Sequence, residues 1–323
     1  VCLVSVGVSH AAPASVDACA TRPDVLGLSR VVEIDAADGP MFGKTPLGEY
    51  DFLKDGEVVL TFDDGPSRTN TMTILNALDA QCTKATFFMV GRMAAAEPAM
   101  VREVARRGHT VGAHTWSHAR LQGMQFDKAK DEIELGFSAV ARAMQGPIAP
   151  FFRFPYLRTT SETTGYLKER RVASFGIDVD SRDFETRTGD SVKANVLSQL
   201  ATRRKGILLF HDIQPSTAAS IGDILSTLKA RGFKVVHLVA KAPATTLQPY
   251  DQRAESEIGH RERAAAKAPL AVRSVVWSQS DGSANDSEAL PWSPPAKAKP
   301  PATKTSAINE ASRMPWYMQL LGP

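Results

Sequence analysis

The 323 residues carry a formal net charge of +3, with 43% hydrophobic and 23% charged side chains, the balance of a globular core with some polar padding. That length suits one large domain or two small ones, and so slight a charge excludes the dense basic field of a nucleic-acid binder. The three cysteines, Cys2, Cys19 and Cys82, are too scattered for a Cys-rich zinc site or a disulfide-dense scaffold, so any metal must be held by histidine and carboxylate.

In chain order, residues 1–20 run from a short apolar stretch into small residues, and Ala12-Pro13-Ala14 resembles a signal-peptidase site. Two readings stay open: a clipped signal-peptide remnant or a loosely packed N-terminus. Export would make the protein periplasmic or secreted and would leave Cys19 and Cys82 to pair in an oxidising compartment; a cytoplasmic location is the alternative. Residues 21–50 form an N-terminal extension. From residue 51 to about 240, β-rich runs at 58–62, 85–90, 109–113, 151–154, 172–177, 206–211 and 233–238 alternate with helical patterns at 69–81, 98–107, 127–145, 161–170, 190–204 and 217–231. Arg107-Gly108 and Arg231-Gly232 suit left-handed helix caps. Strict alternation implies a parallel sheet with helices outside, either an open doubly wound sheet or an incomplete barrel. Beyond residue 240 the composition shifts to Ala, Pro, Ser, Lys and Glu with no sustained periodicity, so 241–323 reads as a low-complexity, largely disordered tail. No apolar run is long enough to span a bilayer, and no protein partner is inferred.

Unusual polar residues follow the strands. Thr61-Phe-Asp-Asp-Gly-Pro66 closes the first, His114-Thr-Trp-Ser-His118 the third, Arg153-Phe-Pro-Tyr156 the fourth, Asp178 to Asp183 the fifth and Phe210-His211-Asp212 the sixth. Parallel α/β architectures put their sites at the C-terminal strand ends, so these segments should converge. Adjacent aspartates before Gly-Pro are by themselves a common turn. His114 and His118 stand four apart and share a face if the segment is helical or tightly turned. Two imidazoles and one carboxylate leave coordination positions open for water and substrate, as a hydrolytic zinc site requires. His211 is either a satisfied core histidine or a general acid, with Leu209 beside it on the same strand face. Arg153 is either a surface cation or the orienting partner of Asp63.

TFDDGP, HTWSH with Leu121 after it, RFPY, DVDSRDF and LLFHD resemble, in order, the five motifs of the carbohydrate esterase family 4 polysaccharide deacetylases, the NodB homology domain. The likeness covers about residues 51–238. It implies a distorted, incomplete (β/α)7 barrel with helices outside, acting on an N-acetylated glycan, chitin-like or peptidoglycan. It further implies one divalent metal ion, zinc in most of the family though Co2+, Ni2+ or Mn2+ fit the same ligand types, held by Asp64, His114 and His118. Asp63 becomes the general base, Arg153 its holder, His211 the acid that protonates the leaving amine, and Asp183 the orienter of His211. Tyr156, through its backbone N–H, would hold the oxyanion, with Pro155 and Leu209 lining the site. Phe184 stands where the family often has Trp; it supplies an apolar wall without an indole N–H. Trp116 either lines the sugar groove or packs in the core. Two other functions fit the same motifs, an O-acetyl xylan esterase and a non-catalytic glycan binder.

Overall fold

The computed structural model describes Cys19 and residues 22–44 and 51–267. It divides into two units, Val1–Glu262 and Arg263–Pro323; of the second only residues 263–267 are described, at the end of a helix. The strands are β1 (Arg30–Ile34), β2 (Met41–Phe42), β3 (Glu57–Asp63), β4 (Thr86–Met89), β5 (Thr110–Ala113), β6 (Phe151–Phe152), β7 (Ala173–Phe175), β8 (Val179–Asp180), β9 (Gly206–His211) and β10 (Lys234–Ala240). Between and after them come α1 (Arg68–Ala80), α2 (Gly91–Ala96), α3 (Pro98–Arg106), α4 (Phe126–Met144), α5 (Ser161–Glu169), α6 (Gly189–Arg203), α7 (Pro215–Ala230) and α8 (Gln248–Lys267).

All pairings are parallel. The wall runs β7-β6-β5-β4-β3-β9-β8, and among the described residues β7 and β8 do not pair, so the barrel stays open there. These are seven strands, but not quite the expected seven. β8, two residues long and too short to show periodicity, closes the wall beside β9. The run at 233–238 becomes β10, which bonds β3 only through Lys234–Glu57 and Val235–Val58 and pairs along its length with β1. The tail reading also needs correction in part: residues 248–267 are helical, and the remainder of 241–323 beyond 267 lies outside the described residues. Residues 1–18, the bulk of the proposed signal remnant, lie outside them too.

Alternation along each strand decides what faces where. Val58, Leu60 and Phe62 of β3, Phe87 and Met89 of β4, Val111 and Ala113 of β5, and Leu208 and Phe210 of β9 pack outward with the helices in one large core. Val59, Phe88, Phe151, Phe175 and Ile207 form the second core inside the barrel. On the inward parity, one or two steps further along each strand, stand Asp63, His114, Arg153 and His211. Period-two geometry alone therefore delivers four polar side chains to the top of the barrel.

At the lower end, Cys19 and Cys82 are disulfide-bonded across a sequence separation of 63. In the chain-entropy view a crosslink over such a loop stabilises by about 4 kcal/mol. Cys82→Ser is expected to lower the unfolding free energy read from urea denaturation by a comparable amount, and reductant to lower that of the wild type but not of the variant. Two buried histidines lie at the start of β5 and along β10. His109 accepts the Ala85 N–H at Nδ1 (3.2 Å), and His237 pairs with the Thr110 hydroxyl (3.0 Å). Burial, with Lys84 nearby, lowers their pKa values to about 3 and about 4. The folded chain keeps both neutral, whereas the unfolded chain takes up protons below about pH 6.5. Their contribution is thus complete above that pH and lost as pH falls toward 4. Urea midpoints measured from pH 7 to 4.5 should fall, and fall less steeply in the variant His109→Asn, His237→Asn.

Candidate metal centre and active site

β3 ends at Asp63, whose side chain points inward; continued extension would aim Asp64 outward. Instead Asp64 adopts a left-handed backbone (φ 76°), which brings the second carboxylate to the same side. Its Oδ1 lies 3.4 Å from Nε2 of His114 and 3.2 Å from Nε2 of His118. The two imidazoles come together because Thr115 (φ 64°) and His118 (φ 60°) are also left-handed, which folds the segment back so that their rings sit 5.0 Å apart.

The donor set fits a cation. His114 Nδ1 donates to the Arg153 carbonyl at 2.7 Å, because a carbonyl only accepts, so in the neutral ring Nε2 carries a lone pair. Burial lowers the His118 pKa to about 4, with Asp64 only partly offsetting it, so this imidazole is neutral near pH 7. Against the penalty of burial, His118, in the acid range where it carries a proton, and His211 hold Asp64 far below the usual carboxylate range. Its Oδ1 is buried with no hydrogen-bond donor. One candidate ligand atom from each of Asp64, His114 and His118 lies within 4.8 Å of the others. Ligand atoms on a tetrahedral ion with bonds of about 2.1 Å stand about 3.4 Å apart.

Two polar assemblies flank this triad. Arg153, with no exposed surface, donates from Nη1 to Asp63 Oδ1 and to the Thr61 hydroxyl, both at 2.7 Å, and from Nε and Nη2 to the carbonyls of Phe175 and Gly176 at 3.1 Å. The other Asp63 oxygen, Oδ2, faces His114 Nε2 at 3.8 Å. Opposite, His211 Nδ1 bonds Asp183 Oδ1 at 2.6 Å, leaving Nε2 toward the site, 4.0 Å from Asp64 Oδ2. Asp183 is buried and also accepts the His211 N–H and the Thr217 hydroxyl. Burial alone would strip the proton from His211, but Asp183, Asp64 and Asp63 outweigh it and raise the pKa to about 10.

On the rim, Tyr156 (46% exposed) sits with its ring 4.7 Å from that of His118, under the Arg120 guanidinium. Phe184 (53% exposed) meets the His211 ring edge-on at 5.7 Å. Pro155 is buried in the turn beneath Tyr156, and Leu209 lies one inward step below His211. Trp116 does not line the groove. Its indole, 7% exposed, packs downward among Leu135, Ala139, Ala254 and Ile258, because the left-handed turn that gathers the histidines sends the residue between them the other way.

The polysaccharide deacetylase family profile matches residues 53–173. A family 4 carbohydrate esterase from Streptomyces lividans superimposes with a TM-score of 0.50 at 30% identity over 97% of its own chain and 59% of this one. The chain belongs to the polysaccharide deacetylase family. A peptidoglycan deacetylase of Bdellovibrio bacteriovorus is similar to it at 33% identity and TM-score 0.62, covering 69% of this chain and 62% of that one. A peptidoglycan-N-acetylglucosamine deacetylase of Listeria monocytogenes is 30% identical over 185 residues, 55% of this chain. The chain spans only 37% of that curated relative's length.

Several residues that build the site carry no signal of their role, although Thr61 opens TFDDGP. Thr61 and Thr217 are ordinary strand and helix residues that hold Arg153 and Asp183. Asp212 is buried against Gly65, where a Cβ would approach its carboxylate to 2.1 Å, and accepts the Thr71 hydroxyl at 2.6 Å. Asp212 is the second half of a quoted motif, and its position beside His211 is the one available hint. Removing one member of a buried ion pair strands the other. Arg153→Met is therefore expected to destabilise the fold by about 3–5 kcal/mol, read from urea denaturation, and adding Asp63→Leu should restore most of that loss.

Proposed function

We propose that the protein removes N-acetyl groups from a GlcNAc-containing glycan, chitin-like or peptidoglycan, giving a free amine and acetate. The observation that carries this reading is a partly buried Asp-His-His ring with a carboxylate on one side and a charged histidine on the other. Asp64, His114 and His118 would hold a divalent ion, with zinc favoured by two imidazoles and a carboxylate. When bound, it supplies Lewis acidity and lowers the pKa of water.

Asp63 is the general base: Arg153 fixes Oδ1, so Oδ2 is left to take a proton from the attacking water. The water oxygen bonds the acetamide carbon, and the C–N bond then breaks. His211 gives its Nε2 proton to the departing nitrogen, and Asp183 keeps Nδ1 protonated and the ring in place. The tight turn at Tyr156 (φ 57°) sets its backbone N–H to stabilise the oxyanion, with Pro155 beneath it. Phe184, Leu209 and the Tyr156 ring give sugar faces apolar surface to rest on. An amine leaves only when protonated, whereas an alcohol leaves more readily, so a histidine whose proton is held up to about pH 10 favours the amide over the xylan ester. The disulfide supports a periplasmic or secreted setting, and no helix among the described residues is long and apolar enough to cross a membrane.

Acetate release from chito-oligosaccharides, peptidoglycan and acetylxylan, with and without chelator, tests the reading. Release from the first two that chelator abolishes and zinc restores is expected; no release from any of the three would leave a glycan binder. Asp63→Asn should keep zinc and lose turnover by a factor of about 10²–10⁴, whereas His114→Ala should lose zinc as well. Full turnover in Asp63→Asn would remove the base assignment.

A further inference from the structure

We infer that helix α8, beyond the barrel and outside the sequence likeness to the family, is a brace that sets metal affinity by holding Trp116 beneath the ligand loop. The inference rests on the metal centre proposed above.

The ligand loop is held against its own preferences. Left-handed backbone at a β-branched threonine and at a histidine costs about 1–2 kcal/mol per residue, so the surroundings must over-determine it. The N–H groups of Gly91 and Arg92, at the start of α2, bond the carbonyls of Thr115 and Trp116, each at 2.9 Å. On α4, the Glu132 carbonyl takes the Trp116 N–H (2.8 Å), and its carboxylate takes both the N–H and the hydroxyl of Ser117 (2.8 Å each). A Cβ on Gly136 would lie 2.6 Å from the Thr115 backbone, and one on Gly91 2.8 Å from the indole. The loop is seated without slack on those two sides.

The Arg92 guanidinium lies 5.8 Å over the indole, and α8 supplies a further wall of its apolar surroundings. Tyr250, Ala254 and Ile258 recur at four-residue steps and form one apolar stripe on an otherwise polar helix. Ala254 has no exposed surface. The helix is pinned to α4 by the Tyr250 hydroxyl on Asp131 (2.7 Å) and by Arg253 on the same carboxylate (3.3 Å). Trp116 is the sole large side chain between the two imidazoles. If α8 lifts, one face of the indole loses its contacts, and His118 sits two residues away. Ligand distances matter at about 0.2 Å, so slack of that size in the loop weakens the ion's hold.

In the full chain, Ala254→Glu places a charge where there is no room and unseats α8; Ile258→Ala is the milder variant should the first fail to fold. Leu228→Ala in α7, within the main core, serves as a control for general loss of stability. The readouts are the Zn2+ dissociation constant by chelator competition, the visible spectrum of the Co2+-loaded chain, and proteolysis within residues 248–260. Ala254→Glu should be cut there, bind zinc at least tenfold more weakly and show an altered cobalt spectrum; Ile258→Ala should weaken zinc about threefold. Leu228→Ala should change neither metal readout. An unseated helix with zinc affinity within twofold of wild type and an unchanged cobalt spectrum would overturn the brace. A wild-type chain that binds neither ion overturns the metal reading itself, and the brace with it.

Discussion

A guanidinium with no access to water organises the upper end of the barrel. Arg153 reaches from the end of β6 to β3, through Asp63 and Thr61, and to the end of β7, through the carbonyls of Phe175 and Gly176, and it lies 4.4 Å over the Phe88 ring of β4. A buried cation is tolerable only where its donors are matched, and here an anion and neutral acceptors match them. The same contacts immobilise Asp63 and shape the 153–156 turn, whose first carbonyl fixes the His114 tautomer. One residue thus couples Asp63 to His114.

Two neighbouring aspartates reach the same side of the barrel because of a single backbone torsion. Along β3, Asp63 inherits the inward parity of Val59 and Thr61. Asp64 would by the same rule face the helices, and only its left-handed φ returns it to the site. The cis Gly65-Pro66 bond follows at once, and the Asp212 carboxyl occupies the space a side chain at 65 would need. The motif TFDDGP is therefore a description of a turn as much as of a ligand, each letter answering a steric demand.

This explains what could be read from the chain. Strand and helix positions followed from alternation and from Gly caps such as Gly108 and Gly232, both at positive φ. The convergence of Asp63, His114, Arg153 and His211 followed from strand-end placement. What escaped had no periodic signature. β8 is two residues long. α8 carries too few apolar positions, at four-residue spacing, to stand out from a polar tail, and it acquires a reason to be helical only when Trp116 and α4 supply a surface. The direction of Trp116 itself depends on torsions at Thr115 and His118 that residue identity does not announce.

The charge distribution accounts for the choice of chemistry. Asp63, Asp64, Asp183 and Asp212 converge below the rim with Arg153 as the one buried guanidinium among them. Burial above all, with Asp64 and Asp63 adding to it, pushes Asp212 up to about 7. Negative potential, delivered mainly by Asp183, keeps His211 protonated. A cation among Asp64, His114 and His118 would draw on the anionic side of this field, while Asp183 stays bonded to His211 from behind. Asp63 and His211, the proposed base and acid, each have a buried partner of opposite charge, Arg153 for the first and Asp183 for the second.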